Sequence, residues 1–179
     1  FYNLENLFDT INDTSKRDEA SPIMEMKYNR SEVYNKKIKN LSKVISGIGF
    51  EETKTLPTIV GLCEVENKNV VEDLINSDLL KNANYGISHF DSPDERVIDV
   101  ALIYRKNIFK ILNENSAHLE LKYASGKINY TRDQLVVEGV LENEKIYIIV
   151  NHWPSRSGGE LGSRPYRNKA AELNMYIID

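Results

Sequence analysis

Asn3, Glu64 and His152 stand at the ends of strand-like segments and are of types that can handle a divalent cation or an oxyanion. Glu64 follows residues 57–63, which are apolar on successive positions and so read as a buried strand, and strand ends are where α/β sheets place their sites. A carboxylate there is a natural ligand for Mg²⁺ (or Mn²⁺), because those hard cations take oxygen donors; a charged residue where a strand surfaces is the alternative. Asn3 closes the first strand-like segment, and its amide can orient a ligand carboxylate or a metal-bound water, which makes it the second candidate at a metal, against a plain turn asparagine. His152 leaves another buried strand and enters the loop Ser155-Arg-Ser-Gly-Gly159. An imidazole, a guanidinium and hydroxyls in one small-residue loop suit an oxyanion, so His152 is read as a donor to that anion rather than as a strand-closing residue.

Further polar residues cluster near these three. Asn151, Arg156 and Arg96 are candidate substrate contacts; Arg96 sits beside the acidic run Asp91-Ser-Pro-Asp-Glu95 and is either a surface partner of it or an anion clamp. Asp99 interrupts an apolar run and needs a partner, for which His152 or an arginine would serve. Arg132 enters a strand and pairs with Asp133 or Glu138, or supports the site. Between Asn151 and Ala170 the chain carries Arg156, Arg164, Arg167 and Lys169 against Glu160, a local +3 in a chain of net charge −4. That asymmetry hints at an anion site within a surface too acidic to coat nucleic acid as a whole.

The elements that must position these residues follow from periodicity. A short strand over residues 2–4 precedes a polar loop over 9–30; Ser31 is placed as the N-cap of a helix whose Ile38, Leu41, Val44, Ile45 and Ile48 share a face, and which Gly47 and Gly49 end. After the 57–63 strand comes a short helix with Val70, Val71, Leu74 and Ile75 on one stripe. Strands are predicted over 85–89, 97–104, 108–112, 118–121, 134–141 and 145–151, the last two joined by a turn at Glu142-Asn-Glu144, and a helix over 165–179. The order β-α-β-α followed by strands predicts an α/β (α+β) domain with mixed or antiparallel sheets.

The 179 residues, 41% hydrophobic and 28% charged, suffice for one ordinary domain core. No apolar run reaches the ~20 residues of a membrane helix. Residues 1–5 lack the charged-then-apolar pattern of a signal peptide, and the natural N-terminus is expected to lie further upstream; a secreted or periplasmic location after signal removal stays open. Cys63 is the lone cysteine, which excludes an internal disulfide and a cysteine zinc cage.

Taken in order, Tyr2-Asn-Leu-Glu-Asn6, Gly61-Leu-Cys-Glu-Val65, Arg96 with Asp99-Val-Ala-Leu-Ile-Tyr104, Thr131-Arg-Asp133 and Asn151-His-Trp-Pro-Ser155 resemble the endonuclease/exonuclease/phosphatase (deoxyribonuclease I-like) family along the whole chain. The resemblance implies a four-layer α-β-β-α sandwich of two mixed sheets with the site at one edge. Asn3 looks like the family's first-strand asparagine, Glu64 like its metal-binding glutamate and His152 like the first of its two site histidines, at the scissile phosphate. Arg96 is similar in place to a substrate-contacting arginine; Asp99 and Arg132 are supports.

The implied chemistry is metal-dependent in-line attack of water on phosphorus, with DNA or RNA as the first expected substrate and Trp153 or Tyr166 as a stacking face. Inositol phosphates or sphingomyelin form the alternative, and a non-catalytic binding protein on the same fold a third. The family's later Asp-x-Asn motif and final Asp-His pair have no match after His152, where the carboxylates are Glu160, Glu172 and Asp179. Residues 1–179 are therefore expected to be one domain truncated at its C-terminus and inactive alone.

Overall fold

A computed structural model of the chain describes residues 1–14 and 18–179. Its first sheet has the order β1-β2-β4-β3, formed by β1 (Tyr2–Leu7), β2 (Ile59–Val65), β4 (Asp99–Arg105) and β3 (Tyr85–His89). β1 runs parallel to β2, and the other pairs are antiparallel, so this sheet is mixed. The second sheet, β5-β8-β9, comprises β5 (Phe109–Ala117), β8 (Gln134–Leu141) and β9 (Glu144–Val150) and is antiparallel throughout in this chain. A small ribbon of β6 (Leu121–Lys122) and β7 (Ile128–Asn129) interrupts the path from β5 to β8.

Two apolar clusters separate the layers. Helices α1 (Arg30–Gly47) and α3 (Lys68–Ile75) cover one face of the first sheet, where Ile38, Leu41, Ile45, Val70, Val71 and Leu74 meet Leu4, Leu62, Ala101 and Ile103. The opposite face packs Cys63, Val100 and Leu102 against Phe109, Leu135, Val137 and Val150 of the second sheet. Alternation along β4 makes this possible, since successive side chains point to opposite faces. Helix α4 (Glu160–Ile178) lies outside the second sheet, with Gln134 Nε2 donating to the Ala170 carbonyl at 2.9 Å. The result is the expected α-β-β-α layering.

Close approach of the sheets is set at Gly61, where a Cβ would stand 3.3 Å from Val150 Cγ1. The missing side chain lets the end of β9 lie on β2, so that the residues following Val150 emerge beside Glu64.

Several local readings change. Asn29, not Ser31, occupies the N-cap of α1; its φ of 61° leaves the side chain making no cap bond, and Ser31 falls in the first turn. Val44 and Ile48 are exposed, because the buried stripe runs through Tyr34, Ile38, Leu41 and Ile45 instead. A short helix α2 (Phe50–Thr53) follows the Gly47–Gly49 stop. Residues 118–121 are largely outside strands, because β5 itself extends to Ala117 to pair Gln134. The loop over 9–30 holds a 3-10 turn at Asp18–Ala20 and includes residues 15–17, outside the described residues. The β8–β9 turn is made by Glu142 and Asn143, both at positive φ, the backbone that matches strand twist in a two-residue hairpin.

Candidate active site

Glu64 lies within β2 but is displaced from the regular ladder. The β2–β4 register shifts between Cys63 and Val65, and the β1–β2 register between Asn3 and Leu7. Glu64, Glu5 and Asn6 all have positive φ, at 61°, 53° and 58°. Three L-residues in the left-handed region on two adjacent strands form a paired irregularity that re-aims side chains, at a cost of about 1–3 kcal/mol each.

The re-aimed Glu64 carboxylate is held by its neighbours. Oε1 accepts from Asn3 Nδ2 at 3.0 Å, and Oε2 accepts from the Asn6 backbone N–H at 3.0 Å. Asn3 Oδ1 takes the Glu5 N–H at 2.7 Å, which fixes the amide with its nitrogen toward Glu64. Of the roles read for Asn3 in the sequence, a place at the metal or the orienting of a ligand carboxylate, this geometry matches the second: its oxygen accepts from the Glu5 N–H and its nitrogen donates to Glu64. Lys37 of α1 donates through Nζ to the carbonyls of Glu5 at 2.5 Å and Asn6 at 2.9 Å, tying the strained turn to the helix. Burial lowers the Lys37 pKa from its ordinary value, against the pull of Glu5 and Glu64.

His152 arrives from the end of β9 with Nε2 3.5 Å from Glu64 Oε1, at the outer limit of hydrogen-bond distance. The side chains of His152 and Glu64 are 20% and 17% exposed, so both reach solvent at a shared opening. Burial, then the nearby Arg132 guanidinium, lowers the His152 pKa to about 4, outweighing the opposing effect of Glu64. The imidazole is therefore neutral near neutral pH, with Nδ1 buried and lacking a hydrogen-bond partner among the described residues.

Arg132 holds this histidine by its backbone. Its Nε and Nη2 donate to the His152 carbonyl at 3.2 and 2.9 Å, Nη2 also reaches the Trp153 carbonyl at 3.3 Å, and Nη1 donates to Asp94 Oδ2 at 3.0 Å. The Arg132 and Asp94 side chains are 7% and 3% exposed. Asp133 and Glu138, the partners expected from sequence, are engaged by His118 and Lys145. Asp94 was not singled out in the sequence, where it looked like one of several acids in a surface loop.

The remaining candidates disperse. Arg96 is 60% exposed and lies 3.6 Å from Asp94 Oδ1 through Nε. Asn151 exchanges amide hydrogen bonds with Asn174 of α4 at 3.2 and 3.4 Å. Arg156 pairs with Glu160 at 3.2 Å, as does Arg167, and Lys169 pairs with Glu172, so most of the local positive charge faces an acid. Asp99 finds neither His152 nor an arginine; it accepts from the Ser92 N–H at 3.0 Å and from the Ser92 hydroxyl, with His89 Nε2 at 3.3 Å. The β3–β4 ladder explains this, since it sets His89 opposite Ala101, two residues from Asp99.

A divalent cation fits the Glu64 position by its chemistry. The carboxylate is rotationally fixed by two N–H donors, is open to solvent, and offers the oxygen ligation that Mg²⁺ takes from one or two carboxylates while keeping waters.

Comparisons with known proteins bear on the family and the fold. A family model described as endonuclease/exonuclease/phosphatase family matches residues 1–179. Among solved structures, TDP2 from Caenorhabditis elegans aligns at a TM-score of 0.55 with 18% identity, covering 82% of this chain and 37% of that one. D. rerio TDP2 complexed with a single-strand DNA product aligns at 0.54 with 16% identity, covering 79% of this chain and 48% of that one. A humanized D. rerio TDP2 gives 0.54 and 16%, with 80% and 50% covered. The chain thus spans half or less of the length of these structures. A search among curated proteins gives no match.

Proposed function

The chain belongs to the endonuclease/exonuclease/phosphatase family, and from that premise we propose that it supplies the asparagine–glutamate–histidine half of a divalent-metal-dependent phosphodiesterase acting on nucleic acid. The observation that carries the reading is the meeting of Glu64 and His152, 3.5 Å apart, from strands of two different sheets. The single-stranded DNA product in a structurally similar protein supports nucleic acid as the first substrate to test.

In this reading Glu64 holds the cation, Mg²⁺ or Mn²⁺. When bound, the ion supplies neutralisation of charge on the phosphoryl oxygens. Asn3 and the Asn6 N–H keep the carboxylate aimed. His152, neutral near pH 7, donates from Nε2 to a nonbridging phosphate oxygen, an interaction that strengthens as charge builds during in-line attack by water. Arg132 and Asp94 position His152 through its carbonyl. Arg96, exposed at the rim, is the substrate contact among the arginines; Asn151 serves the α4 packing.

The test is a side-by-side assay of residues 1–179 and a C-terminally extended chain, with Mg²⁺ or Mn²⁺, on plasmid DNA, single-stranded DNA, RNA, inositol phosphates and sphingomyelin. The extended chain is expected to cleave nucleic acid, and residues 1–179 to be inactive for want of the Asp-x-Asn and Asp-His motifs. Turnover confined to inositol phosphates or sphingomyelin would overturn the substrate assignment. Equal rates from both chains would overturn the mechanism.

A further inference from the structure

His89, Asp91 and Asp99 bring ligand atoms within 4.8 Å of one another, a convergence of three metal-ligating side chains that includes none of the candidate catalytic residues. They come from the end of β3, the loop after it and the start of β4. Their side of the sheet differs from that of the site above. Asp99 lies in register with Val65 and shares its face of β4 with Ala101, both in the core beneath the helices, while Asn3 lies in register with Cys63, in the core between the sheets.

The histidine supplies a second, independent observation. His89 and Asp99 side chains are each 4% exposed, and His89 Nε2 is buried without a hydrogen-bond partner among the described residues. That nitrogen points into the triad, 3.3 Å from Asp99 Oδ2, near enough for attraction yet misdirected for a hydrogen bond. An unsatisfied buried imidazole nitrogen is costly, on the order of 1–3 kcal/mol. Two donors each ~2.0–2.2 Å from a shared ion, at tetrahedral or octahedral angles, stand roughly 3.0–3.5 Å apart, which matches this pair. The other Asp99 oxygen is taken by the Ser92 N–H and hydroxyl, which leaves Oδ2 toward His89. Such an outer-shell contact orients a ligating carboxylate. Asp91 is exposed and brings a carboxylate oxygen within 4.8 Å of the other two ligand atoms, which leaves the site open to entry from solvent.

We propose that His89, Asp91 and Asp99 form a second cation site, separate from Glu64 and selective for a first-row transition ion of the zinc class. One imidazole with two carboxylates suits Zn²⁺ or Co²⁺, whereas Mg²⁺ prefers an all-oxygen set. The ion joins both ends of the loop over 90–98. That loop carries Asp94, the buried partner of Arg132, which grips the His152 carbonyl. The site is a brace for the loop, and its existence does not depend on the hydrolase reading.

The test is titration of the chelator-treated protein with Co²⁺, followed by visible absorption, with Zn²⁺ as competitor and calorimetry for stoichiometry. The expected result is a single Co²⁺ site with ligand-field bands that Zn²⁺ displaces. Asp91→Ala, its fold checked by urea unfolding, should weaken binding by at least about tenfold, and His89→Gln should abolish the bands. Glu64→Gln should leave them intact. Absence of bands in the wild type, unchanged affinity in Asp91→Ala, or loss of the bands in Glu64→Gln would each overturn the proposal.

Discussion

Glu64 and His152 face each other, yet they are held in opposite ways. The carboxylate is fixed locally, by an asparagine side chain and a backbone N–H from the adjacent strand, at the cost of three residues in left-handed backbone. The imidazole is fixed remotely: its buried Nδ1 has no hydrogen-bond partner among the described residues, and its carbonyl is gripped by an arginine that is itself buried against Asp94 of a distant loop. Strain positions one group and a buried ion pair positions the other. The glutamate should therefore tolerate changes in the outer loops, while the histidine should depend on residues that never touch substrate.

The sharpest break in this comparison is removal of the imidazole itself. His152→Ala in a catalytically active chain should lower turnover by roughly two to four orders of magnitude, the scale of a lost transition-state donor, with metal affinity nearly unchanged by calorimetry. A tenfold drop in metal affinity would instead place His152 on the metal. Next in size is the ion pair: Arg132→Met removes the buried partner of Asp94, leaving its Oδ1 on the Arg96 N–H and guanidinium, and should cost up to about 3–5 kcal/mol in urea unfolding. The double variant Arg132→Met/Asp94→Leu should recover most of that stability and none of the activity, because the His152 carbonyl remains ungripped. Recovery of both would show that Arg132 serves stability alone.

Acid titration separates the two regions further. The His152 pKa of about 4 in the folded protein lies below the ~6.5 of an unfolded histidine, so between those values the unfolded chain takes up a proton that the folded chain refuses. The stability associated with neutral His152 is present above about pH 6.5 and is lost as pH falls toward about 4, on the order of 3 kcal/mol in full. Comparing wild type with His152→Gln by urea unfolding at several pH values isolates this contribution from that of the carboxylates. Parallel curves would show that the imidazole is not desolvated.

Smaller effects test the glutamate side. Glu64→Gln keeps the shape and removes the charge, and it should weaken Mg²⁺ or Mn²⁺ binding at least about tenfold by calorimetry on the active chain. Unchanged affinity would remove Glu64 from the cation site. Glu5→Gly relieves one left-handed residue without touching the Lys37 contact to the Glu5 carbonyl, and should stabilise the fold by up to about 1 kcal/mol. A loss of stability would show that the turn is not strained at that residue.

The elements were largely legible from residue order. Apolar alternation and helical spacing locate β2, β3, β4, β8, β9, α1 and α3 because burial on one face is written in periods of about 2 and 3.6 residues. The positions of the candidates Glu64 and His152 beside apolar strands were legible too, because polar groups that close apolar runs are conspicuous; Asn3 was read at the end of a strand over residues 2–4, whereas β1 continues to Leu7. Their partners were not. Sequence offered Arg132 its chain neighbours Asp133 and Glu138, and offered Asp99 the far-off His152 or an arginine, since charge complementarity alone does not say which segments meet. The structure gave Arg132 to Asp94, 38 positions away, and Asp99 to Ser92 and His89. Likewise the donation of the Asn3 amide to Glu64, and the positive φ at Glu5, Asn6 and Glu64, go with register shifts between paired strands. Periodicity within a strand records which face is buried, but the pairing register and the contacts between layers depend on how separate segments close on one another. Those alone decided which charges met.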